Sequence, residues 1–211
     1  MFRGLSGGDI VIVLVSIIVS MALHEAMHGF VAHWLGDDTA QKAGRLTLNP
    51  LKHIDLLTTV LLPVVLILTT GTPFFIAKPV PFNPYRVKWG EYGAALVGIA
   101  GPITNFIIAA LVAVLARIFI SHLTVSLATI IGLFVEVNLA FFVFNMIPLP
   151  PLDGSRLLYA FAPEPLQEVM QRIEGMGFLP VLLFVLVVFQ VPFFESLYSS
   201  VIIHLNNFLL G

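Results

Sequence analysis

The stretch IVIVLVSIIVSMALHEAMHGFVAHWL, residues 10–35, places the sequence His24-Glu25-Ala26-Met27-His28 inside a long apolar run. His24 and His28 are four residues apart, and residues at that spacing share one face of an α-helix. Two imidazoles on one face can bind the same Zn²⁺, each at about 2.1 Å. Glu25 would lie beside the ion and remain free to act on water as a general base. The pattern therefore predicts a membrane helix that carries two ligands of a metal site.

The apolar surroundings strengthen this interpretation. On a soluble helix the same five-residue pattern arises by chance about as often as it marks a metal site. Inside an apolar helix, however, ionisable groups cost on the order of several kcal/mol unless they are bound or paired. No Lys or Arg lies nearby in the sequence to neutralise Glu25 or to interact with the histidines. We therefore expect metal binding at His24 and His28.

The composition indicates an integral membrane protein. Of the 211 residues, 58% are hydrophobic and 10% are charged, whereas charged residues make up roughly 25% of ordinary soluble domains. The formal net charge is -2 and there is no run of Lys or Arg, so no nucleic-acid partner is expected. The chain has no cysteine, which excludes thiolate ligands and leaves histidine, carboxylate and water for any metal.

Apolar segments separated by turn signals predict an all-α polytopic membrane protein with five or six transmembrane helices in a lipid bilayer. These segments are residues 9–35, 54–70, 92–121, 123–146, 178–194 and 195–210. The second segment is near the lower length limit for crossing a bilayer and contains Pro63. Residues 71–84 hold four prolines, which predicts a short extended or hairpin segment between the second and third apolar segments. We expect a single membrane-embedded domain over residues 1–211, with its core at 9–158 and C-terminal helices at 178–210.

A catalytic zinc site needs a third protein ligand, and Asp153 is the best candidate in this sequence. It follows a proline-rich stretch, residues 148–151, that cannot be helical throughout, and Gly154 after it allows close approach of the backbone. Irregular backbone of this kind could hold a carboxylate at membrane depth if protein shields it. The alternative is an ordinary surface turn. Glu136 competes as the third ligand, although a protonated or hydrogen-bonded carboxyl between helices also explains it.

Four sequence segments, in this order, resemble the site-2 protease family of intramembrane zinc metalloproteases. They are HEAMH at residues 24–28, AKPVPFNP at 77–84, GPITN at 101–105 and NMIPLPPLDG at 145–154. Together they extend from the first apolar segment to residue 154, and their order in an apolar chain makes the combination specific. The sequence resembles short members of the family, because it shows neither a PDZ-like insertion nor a nucleotide-sensing domain.

The resemblance implies an activity and a set of site residues. His24, His28 and Asp153 look like the ligands of one Zn²⁺ per chain, and Glu25 matches the catalytic glutamate. Asn145 matches a position that binds the substrate backbone or supports the reaction. Residues 101–105 resemble the helix start that packs beside the site. The implied function is cleavage of transmembrane segments of single-span membrane proteins, in regulated intramembrane proteolysis, by an integral multi-pass protein of a prokaryotic cell membrane.

Two other functions use the same residues without hydrolysis. The first is a membrane metal transporter or sensor, and the second is a non-catalytic scaffold that binds membrane proteins. Neither requires a free carboxylate beside the metal, so Glu25 argues against both.

If every apolar segment crossed the membrane, the helix that carries His24 and the segment that carries Asp153 would run in opposite directions. In the site-2 protease family the two run in the same direction. Either residues 54–70 do not fully cross, which we favour, or the proline-rich stretch folds back into the membrane. Near the start of that short segment, His53 and Asp55 could form a hydrogen-bonded pair with a regulatory or second metal role.

Overall fold

The computed structural model describes residues 6–70, 75–177, 179–188 and 191–211, and all regular structure in these ranges is helical. The α-helices are α1 Gly7–Trp34, α2 Thr39–Lys42, α3 Leu62–Thr70, α4 Glu91–Ile118, α5 Val125–Asn145, α6 Gly154–Phe161, α7 Glu164–Glu174, α8 Leu179–Val188 and α9 Pro192–Leu210. A π-helical turn, Leu56–Leu61, leads into α3, and 3₁₀ turns occur at Pro50–Lys52 and Ile120–His122. The predicted all-helical class is confirmed.

Three of these helices, α1, α4 and α5, are long and apolar enough to cross a membrane. A fourth crossing is counted only if α7 and α8, which meet at an angle of 88°, form one broken span. Helices α3 and α8 are both shorter than the roughly 20 residues that a crossing needs. Helix α9 has the length but carries too many polar residues. The predicted five or six crossings are therefore not confirmed, and the assignment of the whole chain to one domain stays a prediction.

Helix α4 lies at the centre of the fold, where it packs against α1, α5, α6 and α9. Its alanines make this possible, because Ala109 and Ala113 are fully buried against Val135 and Leu139 of α5 and Ile202 of α9. Small residues allow helix backbones to approach closely where lipid gives no hydrophobic drive for association. Helix α4 thus fixes α1 and α6, the two elements that carry the candidate ligands.

Residues 75–83 form an irregular segment, here called the site loop, that contains neither helix nor strand. Its backbone is attached to the preceding segment: the Lys78 N–H donates to the carbonyl of His53 at 2.9 Å, and Arg45 donates to the carbonyl of Lys78 at 2.7 Å. The Thr59 hydroxyl donates to the carbonyl of Ile76 at 2.7 Å. The predicted extended or hairpin segment is not confirmed, and residues 71–74 lie outside the described residues.

The far end of the site loop is tied to the end of α1 by Asp37, a fully buried residue. Its carboxylate accepts hydrogen bonds from the N–H and hydroxyl of Thr39 at 3.1 and 2.5 Å, and from the N–H of Asn83 at 2.6 Å. Burial alone would raise the pKa of Asp37, but these hydrogen bonds and the charge of Arg86 lower it below its usual value. Asp37 therefore remains an ionised acceptor that holds the loop against α1.

Candidate metal centre

Two buried histidines of α1 form the base of the site. The Nδ1 of His24 is 2.6 Å from Oδ1 of Asn105, and the Nδ1 of His28 is 2.7 Å from the carbonyl oxygen of Val97. Both partners belong to α4, so that helix sets the orientation of both rings. Because each Nδ1 is engaged, the two Nε2 atoms are left to face Asp153. Metal-binding histidines ordinarily use their second nitrogen in this way.

Asp153 approaches these histidines from the cap of α6, 129 residues after His24. Its Oδ2 lies 2.9 Å from Nε2 of His24 and 3.4 Å from Nε2 of His28. For comparison, two ligand atoms bound at about 2.1 Å to a tetrahedral ion are about 3.4 Å apart. The predicted convergence of His24, His28 and Asp153 is present in the structure, and the 3.4 Å distance from Asp153 to His28 matches that comparison value.

The backbone around Asp153 explains how the carboxylate reaches this depth. After α5 ends, the proline-rich stretch turns back, and Leu152 packs against Val181 and Val185 of α8. Gly154 lies so close to the end of α5 that an added Cβ would be 2.4 Å from the carbonyl oxygen of Met146. Only glycine fits there. The segment is thereby packed against α8 and against the end of α5.

Gly101 of α4 provides the space beside the histidine nitrogens. A Cβ at this position would lie 2.5 Å from Nε2 of His28 and 2.6 Å from Nε2 of His24. One turn earlier on α4, a Cβ on Gly98 would lie 2.7 Å from Cβ of Arg156. These two glycines let α4 pass directly beneath the site and against α6. The space beside Gly101 is therefore too small for a methyl group but can hold an ion.

Glu25 completes the cluster from the same helix. Its ligand atom and those of His24 and His28 lie within 4.8 Å of one another. Oε2 of Glu25 accepts a hydrogen bond from the backbone N–H of Val80, in the site loop, at 2.9 Å. The backbone N–H of Val80, which does not itself transfer protons, therefore holds the carboxylate beside the candidate metal position.

Known proteins with similar sequences carry names that match this chemistry. The Bacillus subtilis (strain 168) protein "Putative zinc metalloprotease YwhC" is 38% identical over 173 residues, which is 79% of this chain and 76% of that protein. The chain belongs to the site-2 protease family. The proteins named "Putative zinc metalloprotease Rip2" from Mycolicibacterium smegmatis and Mycobacterium tuberculosis (strain H37Rv) are each 29% identical, cover 90% and 92% of this chain, and are themselves covered to 73%. No protein-family model and no solved structure matches the chain.

The fifth residue suggested by likeness to site-2 proteases, Asn145, stands at the end of α5. Its side-chain N–H₂ donates to the carbonyl of Phe141 at 3.0 Å. The ring of Phe141, one turn earlier on the same helix, has its centroid 6.4 Å from that of His24. Asn145 is therefore on the part of α5 that approaches the site, and its role in the reaction stays a prediction.

Glu136, the competing carboxylate, is elsewhere. It is half-buried on α5 and interacts electrostatically with Tyr198 of α9. The structure brings Asp153, and not Glu136, within hydrogen-bonding distance of the histidines. This position favours the second interpretation of Glu136, a carboxyl group that lies between helices.

The expected pair of His53 and Asp55 is wrong. His53 is fully buried, and its Nε2 donates to the carbonyl of Thr47 at 2.9 Å, while its Nδ1 has no hydrogen-bond partner among the described residues. Asp55 instead caps the following helical turn, where it accepts from the N–H groups of Leu57 and Thr58 at 2.9 and 3.0 Å. The unpaired N–H groups of a helix start compete successfully for a nearby carboxylate.

Sequence reasoning placed residues 101–105 beside the site but did not assign the groups that orient its side chains. The carbonyl of Val97 and the N–H of Val80 are backbone groups; every residue type supplies the carbonyl and every type except proline supplies the N–H, so no sequence signal could reveal them. Asn105 and Asn138 did leave a signal, because each is an amide in an otherwise apolar helix and such groups need a partner.

Proposed function

We propose that this site-2 protease family member is an intramembrane zinc endopeptidase that cleaves transmembrane segments of single-span membrane proteins. The observation that carries the proposal is the convergence of two histidine nitrogens and one carboxylate, with Glu25 beside them. We further propose a multi-pass location in a bacterial cell membrane and a role in regulated intramembrane proteolysis. The family membership and the three long apolar helices support both.

The donor set suits zinc. His24, His28 and Asp153 supply two nitrogens and one oxygen, the ligand types of catalytic zinc sites, which keep one further position open. Zinc held there would polarise the scissile carbonyl and lower the pKa of water to about 7.

The protein's own residues then carry the proton. In the proposed reaction Glu25 removes a proton from the attacking water and delivers it to the leaving amine. The N–H of Val80 orients the carboxylate, and the amide of Asn145 binds the substrate backbone. Because helical peptide bonds are shielded by their own hydrogen bonds, the substrate must unwind locally. Substrates with helix-breaking residues near the cleaved bond are therefore cut faster.

The ligand assignment is tested by Asp153→Ala, with Glu136→Ala as the matched control. Removal of a ligand should lower zinc affinity by more than about 100-fold, because even the loss of an outer-shell partner costs 10–100-fold. Glu136→Ala should retain both zinc and cleavage. Zinc content by atomic absorption, cleavage of a reconstituted single-span substrate, and thermal melting to verify folding are the measurements. A folded Asp153→Ala protein with wild-type zinc content would contradict the assignment.

The contact from the site loop to Glu25 predicts a further effect. Val80→Pro removes the N–H that holds the carboxylate, whereas Val80→Ala keeps it and removes only side-chain bulk. We expect Val80→Pro to lower kcat by roughly 10-fold to 100-fold, the range that loss of orientation at a reacting group can cost, with zinc content unchanged. Val80→Ala should remain close to the wild type. Equal kcat values for the two variants would show that the N–H does not matter.

A further inference from the structure

Two fully buried asparagines connect helix α5 to His24. The Asn138 side-chain N–H₂ donates to the carbonyl of Phe134 at 2.9 Å, and its Oδ1 accepts from the N–H₂ of Asn105 at 3.0 Å. The same N–H₂ of Asn105 donates to the carbonyl of Ser20 at 3.3 Å. Oδ1 of Asn105 then faces Nδ1 of His24 at 2.6 Å. The chain of hydrogen bonds is continuous from a backbone carbonyl of α5 to the imidazole.

The direction of every hydrogen bond in this chain is determined by its two ends. A backbone carbonyl can only accept, so Asn138 must turn its N–H₂ toward Phe134 and its oxygen toward Asn105. Asn105 must therefore donate to Asn138 and to the carbonyl of Ser20, which leaves its oxygen for His24. That oxygen can only accept, so His24 donates from Nδ1. Nε2 of His24 also faces Oδ2 of Asp153 at 2.9 Å, but a metal ligand must be a neutral imidazole. With the single N–H of that neutral ring on Nδ1, Nε2 presents a lone pair to the metal.

We propose that Asn105, held by Asn138, is a positioning residue that fixes His24 in the tautomer whose Nε2 lone pair points at the metal. The inference rests on the proposed metal site and adds residues that act through His24. His28 needs no such arrangement, because its Nδ1 donates directly to the carbonyl of Val97. The two ligands thus differ, because side chains fix the tautomer of His24, whereas a backbone carbonyl fixes that of His28.

This difference makes the proposal testable. Asn105→Leu removes the acceptor at nearly constant size, whereas Asn138→Leu leaves Asn105 in place and removes one of the two acceptors that hold its N–H₂, the carbonyl of Ser20 being the other. Asn105→Leu should lose the defined tautomer of His24, Asn138→Leu should weaken the preference for it, and both should keep that of His28. Asn206→Leu, a half-buried amide of α9, is the control for the same chemical change elsewhere in the protein.

The experiment uses the full-length protein in detergent, with two readouts that do not depend on activity. Competition with a chromophoric chelator gives the affinity for Zn²⁺, and ¹⁵N NMR of labelled histidine reports which ring nitrogen carries the proton. We expect Asn105→Leu to lower zinc affinity by 10-fold to about 100-fold, the range for outer-shell partners, and Asn138→Leu to lower it by a smaller factor. Asn206→Leu should match the wild type.

The outcomes separate this inference from the proposed function. If the wild type binds zinc and both leucine variants match it in affinity and in the tautomer of His24, the positioning role is overturned and the protease proposal stands. If the wild type binds no zinc, the metal site itself fails. Should Asn105→Leu not fold, the decision rests on Asn138→Leu, which leaves the contact between Asn105 and His24 in place.

Discussion

Glu25→Gln is expected to stop peptide cleavage while zinc stays bound. Glutamine keeps the shape of the side chain and still offers an oxygen to the N–H of Val80, but it cannot take a proton from water. General base catalysis is worth about 10²–10⁴-fold in rate, and we expect a loss at the upper end because proton removal and delivery both depend on this carboxylate. The measurements are cleavage of a single-span substrate in proteoliposomes and zinc content of the same preparation.

This variant also separates the protease from the two alternative functions. A metal transporter would move zinc across liposomes equally well with glutamine at position 25, and a binding scaffold would retain its biological effect. Glu136→Gln, a change of the same chemistry away from the ligands, should leave cleavage unchanged and serves as the control. Undiminished cleavage by Glu25→Gln would remove Glu25 from the mechanism.

Gly101→Ala is expected to abolish zinc binding, an unusually large effect for one methyl group. The added carbon would lie 2.5 and 2.6 Å from the two histidine nitrogens, nearly the distance of about 2.1 Å at which zinc itself binds. The methyl group and the ion would therefore compete for the same space. We expect a loss of affinity of more than about 100-fold, beyond the range for outer-shell changes, and a matching loss of cleavage.

The control for this prediction is Gly132→Ala in the middle of α5. A Cβ at Gly132 would have nothing within 4 Å, so alanine should stabilise the helix by about 0.5–1 kcal/mol or have no effect. Zinc content should remain at the wild-type level. If Gly101→Ala also binds a full equivalent of zinc, the ion does not lie between the two histidines and α4.

The three long helices could be predicted from the sequence because their apolar runs end at clear stop signals. Apolar residues 9–35, 92–121 and 123–146 correspond to helices Gly7–Trp34, Glu91–Ile118 and Val125–Asn145. Residues 54–70 and 178–194 are equally apolar, yet hydropathy alone does not show how many residues a helix will contain. Three helices, or four if α7 and α8 form one span, are long enough to cross, and the remaining predicted crossings are not confirmed.

The candidate site could be predicted only in part, because some of its residues are close in sequence and others are not. The spacing of His24 and His28 is local and follows from helix geometry. Asp153, 129 residues away, was suggested by its proline-rich setting and by likeness to a known family, because no local geometry relates it to the histidines. His53 and Asp55 are close in sequence but have different partners, because the helical turn that begins at Leu56 offers its N–H groups to Asp55. Proximity in sequence predicts a contact only when no stronger donor or acceptor intervenes.

The ion and the proton-transfer group are positioned by different parts of the chain. Helices α1, α4 and α6 set the geometry of the histidines and Asp153, whereas the irregular loop attached to residues 45–59 sets the orientation of Glu25. Affinity for zinc and turnover can consequently change independently during evolution, since substitutions in the loop alter one and substitutions along α4 alter the other.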